Sequence, residues 1–283
     1  MNDSSERPPA CLKLSSPETR EYWEVPVVFE DEHLLAVDKP SGLLTSPDRY
    51  DPQRPNLMGL LHAHIRRGVP WVRERGLTYL ANAHRLDFET SGVLLLAKSK
   101  PVLTALADLF GSEKPIKTYH ALAHGGPPED AWTVEAKLGP HPTRPGVMRV
   151  HPKFGKRSRT DCRVITRFNG FVWLECRPLT GRTHQIRVHL QWAKCPIVGD
   201  ALYGGGPLWL SEVKPGYRRS RNKEERPLMA RVALHASILE LAHPVTGEPT
   251  RMECPIPRDL RVALKYLERY ALPGSLSGVA PTL

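Results

Sequence analysis

The chain has 283 residues, enough for one large domain or two smaller ones with a sizeable buried core. It carries 40 Lys and Arg residues against 30 Asp and Glu, and the resulting net charge of +10 favours a polyanionic partner. No stretch approaches the ~20 apolar residues that cross a bilayer, and residues 1–22 lack the apolar segment of a signal peptide. The composition therefore argues against membrane and export functions.

The cysteines and the lack of common cofactor motifs narrow the chemistry further. The five cysteines are odd in number and none lies in a C-x-x-C spacing, which predicts reduced thiols in a cytoplasmic protein rather than disulfides or a zinc cluster. The sequence contains no G-x-G-x-x-G, no phosphate loop and no His-Glu-x-x-His. We therefore expect neither a cofactor nor a metal.

Both ends of the chain have the composition of tails. Residues 1–22 are rich in Pro, Ser and charge, and we expect them to be disordered or loosely attached. Residues 272–283 have the same character. The segment between them, 23–271, is expected to form the folded domain.

Within this domain, apolar periodicity predicts two early helices, at 57–67 and 102–110. A later helix carries Ile186, Leu190 and Ala193 on one face, with Thr183 as its expected N-cap. Asn169-Gly170 between two apolar runs is a strong hairpin signal. Hairpins outnumber strand–helix alternations, which favours an α+β fold with a mainly antiparallel sheet. The predicted strands are 27–29, 34–38, 93–97, 118–123, 162–168, 171–177 and 233–241.

The segment His84-Arg85-Leu86-Asp87 places a carboxylate beside an arginine at a polar turn, shortly before the apolar run 93–97. A run of this length reads as a buried strand, so the turn can be held rigidly while Asp87 stays accessible. A neighbouring cation favours the ionised carboxylate, which suits a nucleophile or a general base. Taken alone, however, the segment favours an Asp87 that caps the turn by bonding backbone N–H groups.

Four motifs follow one another over about residues 27–260. They are Lys39-Pro40-Ser41-Gly42-Leu43, the segment from His84 to Lys98, Lys117-Thr118-Tyr119, and Thr180-Gly181-Arg182-Thr183-His184-Gln185-Ile186-Arg187-Val188-His189. In these segments the chain resembles the RluA-type pseudouridine synthases, whose motifs are KPxGL, HRLDxxTSGxLLLAK, KxY and TGRxHQIRxH. Ordered motifs with sensible spacing are far more specific than any one of them.

The resemblance implies an α+β pseudouridine synthase fold with a mixed, mainly antiparallel central sheet flanked by helices and loops. Residues 23–271 would then be the catalytic domain. Many relatives carry a small RNA-binding S4 module ahead of this domain, and too few residues precede Val27 to hold one, so we expect the catalytic domain alone. The implied reaction breaks the C–N glycosidic bond of a uridine, turns the base and rejoins it through carbon, which requires no cofactor.

The resemblance also implies three catalytic residues. Asp87 would supply the carboxylate, whether it attacks the sugar, attacks the base or removes a sugar proton. Tyr119 would contact the flipped base, although periodicity alone equally fits a core tyrosine. Arg187 would pair with the catalytic Asp, and its alternative is a solvated helix arginine.

Substrate-binding positions follow from the same motifs. Arg85 would enter the RNA stack in place of the extruded base. The further positions are His84, Thr90, Arg182, Lys156 and Arg157, the last two in a basic loop at 153–159. Segment 214–231 is a second basic stretch, with phosphate binding or a solubilising surface as its alternatives. His184 and His189 are expected to make neutral hydrogen bonds rather than to bind metal.

The partner is expected to be RNA, either ribosomal or transfer RNA, and the protein is expected to be a cytoplasmic monomer. Two other functions fit parts of the pattern. A nucleic-acid N-glycosidase would share the carboxylate and the base flipping but would release free uracil. A catalytically silent RNA-binding or chaperone protein would share the charge, but has no need of Asp87, Tyr119 and Arg187 together.

Overall fold

The structure, a computed structural model, describes residues 11–48, 51–218 and 224–273. These residues form two compact units. The expectation that 23–271 is one catalytic domain stays a prediction. The first unit comprises the chain up to residue 116 together with 236–255, and the second comprises 117–235 together with the chain from 256 onward. No helix in the described part is long and apolar enough to span a membrane.

The regular elements are hairpin-rich strands with a smaller helical content, so the α+β prediction is confirmed. The strands are β1 (Cys11–Ser16), β2 (Glu21–Glu30), β3 (Leu34–Lys39), β4 (Ala81–Asn82), β5 (Ser91–Ala97), β6 (Ile116–His124), β7 (Ala131–Pro140), β8 (Met148–Val150), β9 (Lys156–Phe168), β10 (Phe171–Pro178), β11 (Leu234–Ala242) and β12 (Pro249–Glu253). The α-helices are α1 (Leu57–Arg67), α2 (Pro70–Glu74), α3 (Lys100–Gly111), α4 (Gln185–Trp192), α5 (Leu210–Val213) and α6 (Arg258–Tyr270), with a 3-10 turn at Ala201–Tyr203.

Strand β5 is the centre of the first unit. The strand order is β1-β2-β3-β5-β11, with β4 paired to β5 and β12 paired to β11. All seven residues of β5 are buried, as expected for a strand with neighbours on both sides and covered faces. Helix α3 contributes Val102 and Leu106 to the core cluster that contains Val93 and Leu95. The predicted buried strand after the His84–Asp87 turn is therefore confirmed.

The N-terminal segment differs from the tail expected at 1–22. Its residues from Cys11 onward form β1 and the start of β2, which pair as an antiparallel hairpin. The physical reason is the alternation of β1, in which Leu12, Leu14 and Ser16 are buried while the residues between them face outward. The polar composition of residues 1–22 suggested a tail and did not indicate this alternation of buried and exposed residues. Residues 1–10 of the expected tail, and 274–283 of the C-terminal one, lie outside the described residues.

Strands β9 and β10 form the main hairpin of the second unit, whose strand order is β6-β10-β9-β7-β8. Asn169-Gly170 connects them, with Gly170 at φ 79°, so the predicted hairpin turn is confirmed. Lys156 already pairs with β7 as the first residue of β9. Only 153–155 of the predicted basic loop are therefore outside a strand, because the alternation of outward Arg and inward Ser158 and Thr160 continues the sheet.

The helices at 57–67 and 102–110 are confirmed as α1 and α3. The expected N-cap of α4 at Thr183 is wrong. His184 precedes the helix with φ 53° and ψ 22°, a left-handed conformation, and no side chain caps the first turn. The left-handed residue interrupts the helical backbone, so Thr183 lies outside the helix and is exposed. Of the basic segment 214–231, residues 219–223 lie outside the described residues.

Candidate active site

The turn that carries Asp87 is held by hydrogen bonds to its backbone from the KPxGL segment and the residues after it. Thr45 Oγ1 donates to the Leu86 carbonyl at 2.9 Å and accepts from the Leu86 N–H at 3.1 Å. The Phe88 carbonyl accepts from the Gly42 N–H at 2.9 Å and from Lys39 Nζ at 3.4 Å. Because both Thr45 and Lys39 are buried, these bonds are shielded from water and fix the turn.

The rest of the turn is tied in the same way. Ser41 Oγ donates to the Glu89 carbonyl at 2.7 Å. Within the turn, the Thr90 N–H donates to the Asp87 carbonyl at 3.2 Å. Thr90 itself is buried, so its geometry supports a role in closing the turn, and its predicted substrate contact stays a prediction.

His84 is also bonded inside the first unit. Its Nε2 accepts from the Leu95 N–H at 3.1 Å, so the proton of the neutral ring is on Nδ1. Its ring stacks on Phe110 with centroids 5.0 Å apart, and its carbonyl accepts from Asn82 Nδ2 at 2.9 Å. These contacts anchor the start of the turn to β5 and α3. A direct substrate contact by His84 stays a prediction.

The two charged side chains of the turn differ in exposure. Asp87 is half-buried, whereas Arg85 is exposed. A second cation lies close by, because the Arg54 guanidinium sits 4.0 Å above the Phe88 ring. The rigid backbone thus presents one carboxylate with partial access to solvent and one arginine that extends outward, an arrangement that suits an accessible reactive group beside a flexible stacking cation.

Gly92 allows the chain to approach β11 closely after this turn. Its φ is +117°, and a Cβ atom there would lie 2.1 Å from the Ala236 carbonyl oxygen and 2.7 Å from the Ala236 nitrogen. No side chain fits against backbone at such distances. The glycine of the TSG sequence is therefore required for β5 to begin directly after the Asp87 turn.

In the second unit, Gln185 fixes the loop that leads into α4. Its Oε1 accepts from the Arg182 N–H at 3.1 Å and from the Thr180 hydroxyl. Its Nε2 donates to the Arg159 carbonyl and to Thr160 Oγ1, both at 3.0 Å. A single buried amide therefore joins the TGR loop, β9 and the first turn of α4.

His189 extends this network. Ser158 donates its only hydroxyl proton to the Ala136 carbonyl at 2.6 Å, so it accepts from Nε2–H of His189 at 2.9 Å. Nδ1 of His189 then accepts from the Thr160 hydroxyl at 2.9 Å. Burial lowers the pKa of His189 from 6.5 to about 4. His189 is thus neutral at physiological pH, as predicted.

Arg187 forms a buried ion pair with Asp200. Its Nε is 2.7 Å from Asp200 Oδ2 and its Nη2 is 2.8 Å from Oδ1, a bidentate geometry that fixes the guanidinium plane. The Tyr203 ring centroid lies 5.1 Å from the Arg187 Cζ, and the Tyr203 hydroxyl is 2.8 Å from His184 Nδ1. The arginine is thus held in the interior of its unit rather than solvated. Its expected pairing with the catalytic Asp stays a prediction.

The other predicted residues of the second unit occupy different environments. Tyr119 is half-buried on β6 and packs against the main core cluster. Arg182 is half-buried, and its Nε donates to the Arg157 carbonyl at 3.1 Å. Lys156 and Arg157 are exposed at the start of β9. The structure thus places His84, Arg85, Asp87 and Thr90 on one turn of the first unit, and the remaining predicted residues in the second.

Several residues that hold these groups were not predicted from the sequence. Nothing in the spacing of Asp200 in the sequence marked it as the partner of Arg187. Thr45 bonds to Leu86, 41 residues further along the chain, and Asn82 bonds to His84, two residues further along. A lone Thr or Asn gives no signal of such a role.

No group of three or more His, Cys, Asp and Glu residues within the described ranges is arranged to hold a metal ion. All five cysteines are free thiols. The Cys162 thiol donates a hydrogen bond to Cys176 Sγ, with the two sulfur atoms 3.8 Å apart. Burial raises the pKa of Cys195 to about 12, so this thiol stays protonated and serves packing.

Comparisons with known proteins identify the family. A family model described as RNA pseudouridylate synthase matches residues 33–192. A ribosomal large subunit pseudouridine synthase D from Xanthomonas campestris pv. campestris is 37% identical over 244 residues, which cover 85% of this chain and 69% of that protein. The protein of the same name from Escherichia coli K12 is 34% identical over 234 residues, covering 83% and 68%.

Two solved human structures share the fold. RNA Pseudouridylate Synthase Domain Containing 4 superposes with a TM-score of 0.64 at 23% identity, covering 86% of this chain and 92% of that one. RNA Pseudouridylate Synthase Domain Containing 1 gives a TM-score of 0.59 at 24% identity, covering 88% and 96%. Since the family model spans more than half of the chain, and the bacterial relatives exceed 30% identity, the chain belongs to the RNA pseudouridylate synthase family, whose members are isomerases that convert uridine in RNA to pseudouridine.

Proposed function

We propose that this protein isomerises specific uridines in large-subunit ribosomal RNA. The two bacterial relatives bear that activity in their names, and they match most of this chain. The net charge of +10 suits an RNA partner. Transfer RNA is the alternative substrate and is distinguished by the assay below.

The observation that supports this proposal most is the rigid turn with its half-buried carboxylate. Asp87 is held by a backbone bonded at Leu86, Phe88 and Glu89, so its carboxylate meets the target nucleotide without reorganisation of the chain. Exposed Arg85 is free of the core and is proposed to fill the stack when the target uridine is extruded, which costs a few kcal/mol of unstacking.

Tyr119 and Arg187 complete the proposed catalytic set. The phenol of Tyr119 would contact the flipped base and handle a proton. The guanidinium of Arg187, fixed by Asp200, would stabilise the ionised catalytic carboxylate. Arg182, Lys156 and Arg157 would contact phosphates, and their loss should weaken RNA binding in a salt-dependent manner rather than abolish the chemistry.

The test is tritium release from ribosomal RNA transcripts labelled at uridine C5, because forming the carbon–carbon bond displaces that hydrogen. Wild-type protein should release tritium without free uracil, and Asp87→Asn should release none while it still binds RNA. Asp108→Asn is the matched control, since it neutralises an exposed carboxylate on α3 of the same unit. The control should keep wild-type activity.

Other outcomes separate the alternatives. Free uracil would identify an N-glycosidase. RNA binding without product, on both unmodified ribosomal and transfer RNA, would support a silent RNA-binding protein. Product on transfer RNA alone would keep the activity and change the substrate. The proposal also includes a monomer acting in the cytoplasm, which light scattering after size exclusion and cell fractionation would test.

A further inference from the structure

Helix α6 of the second unit is strongly two-sided. Leu260, Ala263 and Leu267 are fully buried in the main core cluster of that unit. Their spacings of three and four residues put them on one stripe of the helix. At the start of the helix, Asp259 pairs with Arg231, with Oδ2 and Nε 2.7 Å apart. The helix is therefore firmly docked through one face, and its opposite face is fixed in orientation.

The outward face of α6 is a basic stripe. Four cations on it are exposed, at spacings of three or four residues that bring neighbours to about 5–6 Å between Cβ atoms. None of the four forms an ion pair within the described ranges, and Glu268 is the exposed acid near them. The stripe runs for about 16 Å at a rise of 1.5 Å per residue. The four residues are Arg258, Arg261, Lys265 and Arg269.

A depression of about 490 Å³ adjoins the C-terminal end of this stripe, and Lys214, Tyr217 and Tyr270 are among its lining residues. The Tyr270 ring has the Arg269 Cζ at 5.3 Å and the Lys214 Nζ at 5.8 Å from its centroid. Arginines and lysines beside tyrosine rings are the combination with which proteins hold single-stranded nucleic acid, through phosphate contacts and base stacking.

We propose that the basic stripe of α6, together with this depression, is a second RNA-binding surface, which binds the phosphate backbone of the substrate through residues other than those of the Asp87 turn. The inference rests on the proposed function for the identity of the RNA. Three of the four cations are arginines, whose planar donors match phosphate oxygens. A membrane surface fits less well, because interfacial helices insert a bulky apolar face, whereas the apolar stripe of α6 is buried and Val262 is its exposed large apolar side chain.

The test compares wild-type protein with a variant that carries four outward substitutions on α6. These are Arg258→Gln, Arg261→Gln, Lys265→Gln and Arg269→Gln. Binding to a large-subunit ribosomal RNA transcript is measured by fluorescence anisotropy between 50 and 200 mM salt. Loss of four phosphate contacts should reduce the slope of log affinity against log salt by about 3, so the affinity advantage of the wild type should fall about 60-fold over this range.

A charge-matched control removes four exposed cations of the first unit, Lys13, Arg73, Lys100 and Lys114, each replaced by Gln. It should keep the wild-type salt slope. An unchanged slope in the α6 variant, or an equal reduction in the control, would overturn the proposal. The proposal would also be overturned if the wild type bound phosphatidylglycerol vesicles, the α6 variant did not, and both bound RNA equally. A wild-type protein that releases no tritium would count against the proposed function. The comparison of salt slopes would still show whether α6 binds RNA.

Discussion

Replacing His189 with Gln should remove a specific dependence of stability on pH. The ring of His189 is fully buried, and each of its nitrogens bonds to a hydroxyl, of Ser158 and Thr160. Protonation would put a second donor on the ring where Nδ1 now accepts, and would bury a charge. Burial therefore lowers the pKa of His189 from 6.5 to about 4. A glutamine keeps a donor and an acceptor but does not titrate.

The sign and size of this pH dependence follow from the linkage between proton binding and folding. Between pH 6.5 and about 4 the unfolded chain binds a proton at this residue and the folded protein does not, so the stabilisation is complete above pH 6.5 and is lost as the pH falls toward 4. With these two pKa values, the free energy of unfolding should lose about 2 kcal/mol from His189 between pH 7.5 and pH 5. The variant should not show this loss.

The assay is urea unfolding of both proteins at a series of pH values, followed by tryptophan fluorescence and circular dichroism. The measured quantity is the difference in unfolding free energy between wild type and His189→Gln, which cancels every other titrating group. His141→Gln, in the same unit, controls for the loss of one imidazole. A difference that stays constant within about 0.5 kcal/mol from pH 7.5 to 5, or one that the control reproduces, would refute the assignment of a buried neutral ring.

Two substitutions in the first unit test how the Asp87 turn is built. Thr45→Val removes the hydroxyl that bonds both to the N–H and to the carbonyl of Leu86. It should lower the free energy of unfolding in urea titrations by about 1–3 kcal/mol and slow single-turnover tritium release. Thr45→Ser should restore both the stability and the rate, and a stable, fully active valine variant would contradict the reasoning. Gly92→Ala places a Cβ 2.1 Å from the Ala236 carbonyl oxygen and should lower the melting temperature sharply or prevent folding. Gly111→Ala meets nothing within 4 Å and serves as the control; equal melting temperatures of the two alanine variants would refute the close approach.

Local pattern was sufficient for much of the fold. Helix α1 begins and ends where its apolar periodicity does, and Asn169-Gly170 connects two strands because only a few backbone conformations join antiparallel strands so tightly. The apolar run before Lys98 is buried along its whole length, as its composition predicts. These features depend on residues that are neighbours in the chain.

The two wrong predictions, for β1 and for the start of α4, have a common cause: both conformations depend on contacts that local composition does not reveal. Strand β1 was taken for a tail because its composition is polar, while its alternating residues are ordered by pairing with β2. The start of α4 was misplaced because the conformation of His184 depends on contacts with Tyr203 and on the Gln185 network, which no local signal marks.

By itself the sequence determined the α+β class and the family, and it predicted which turn is reactive, because ordered motifs and local periodicity are properties of the chain. Tertiary structure alone decided that Thr45 and Lys39 hold that turn, that Asp200 fixes Arg187, and that His189 is neutral. The partners in each case are brought together by folding, and both the hydrogen bonds and the loss of solvent that shifts a pKa exist only after they meet.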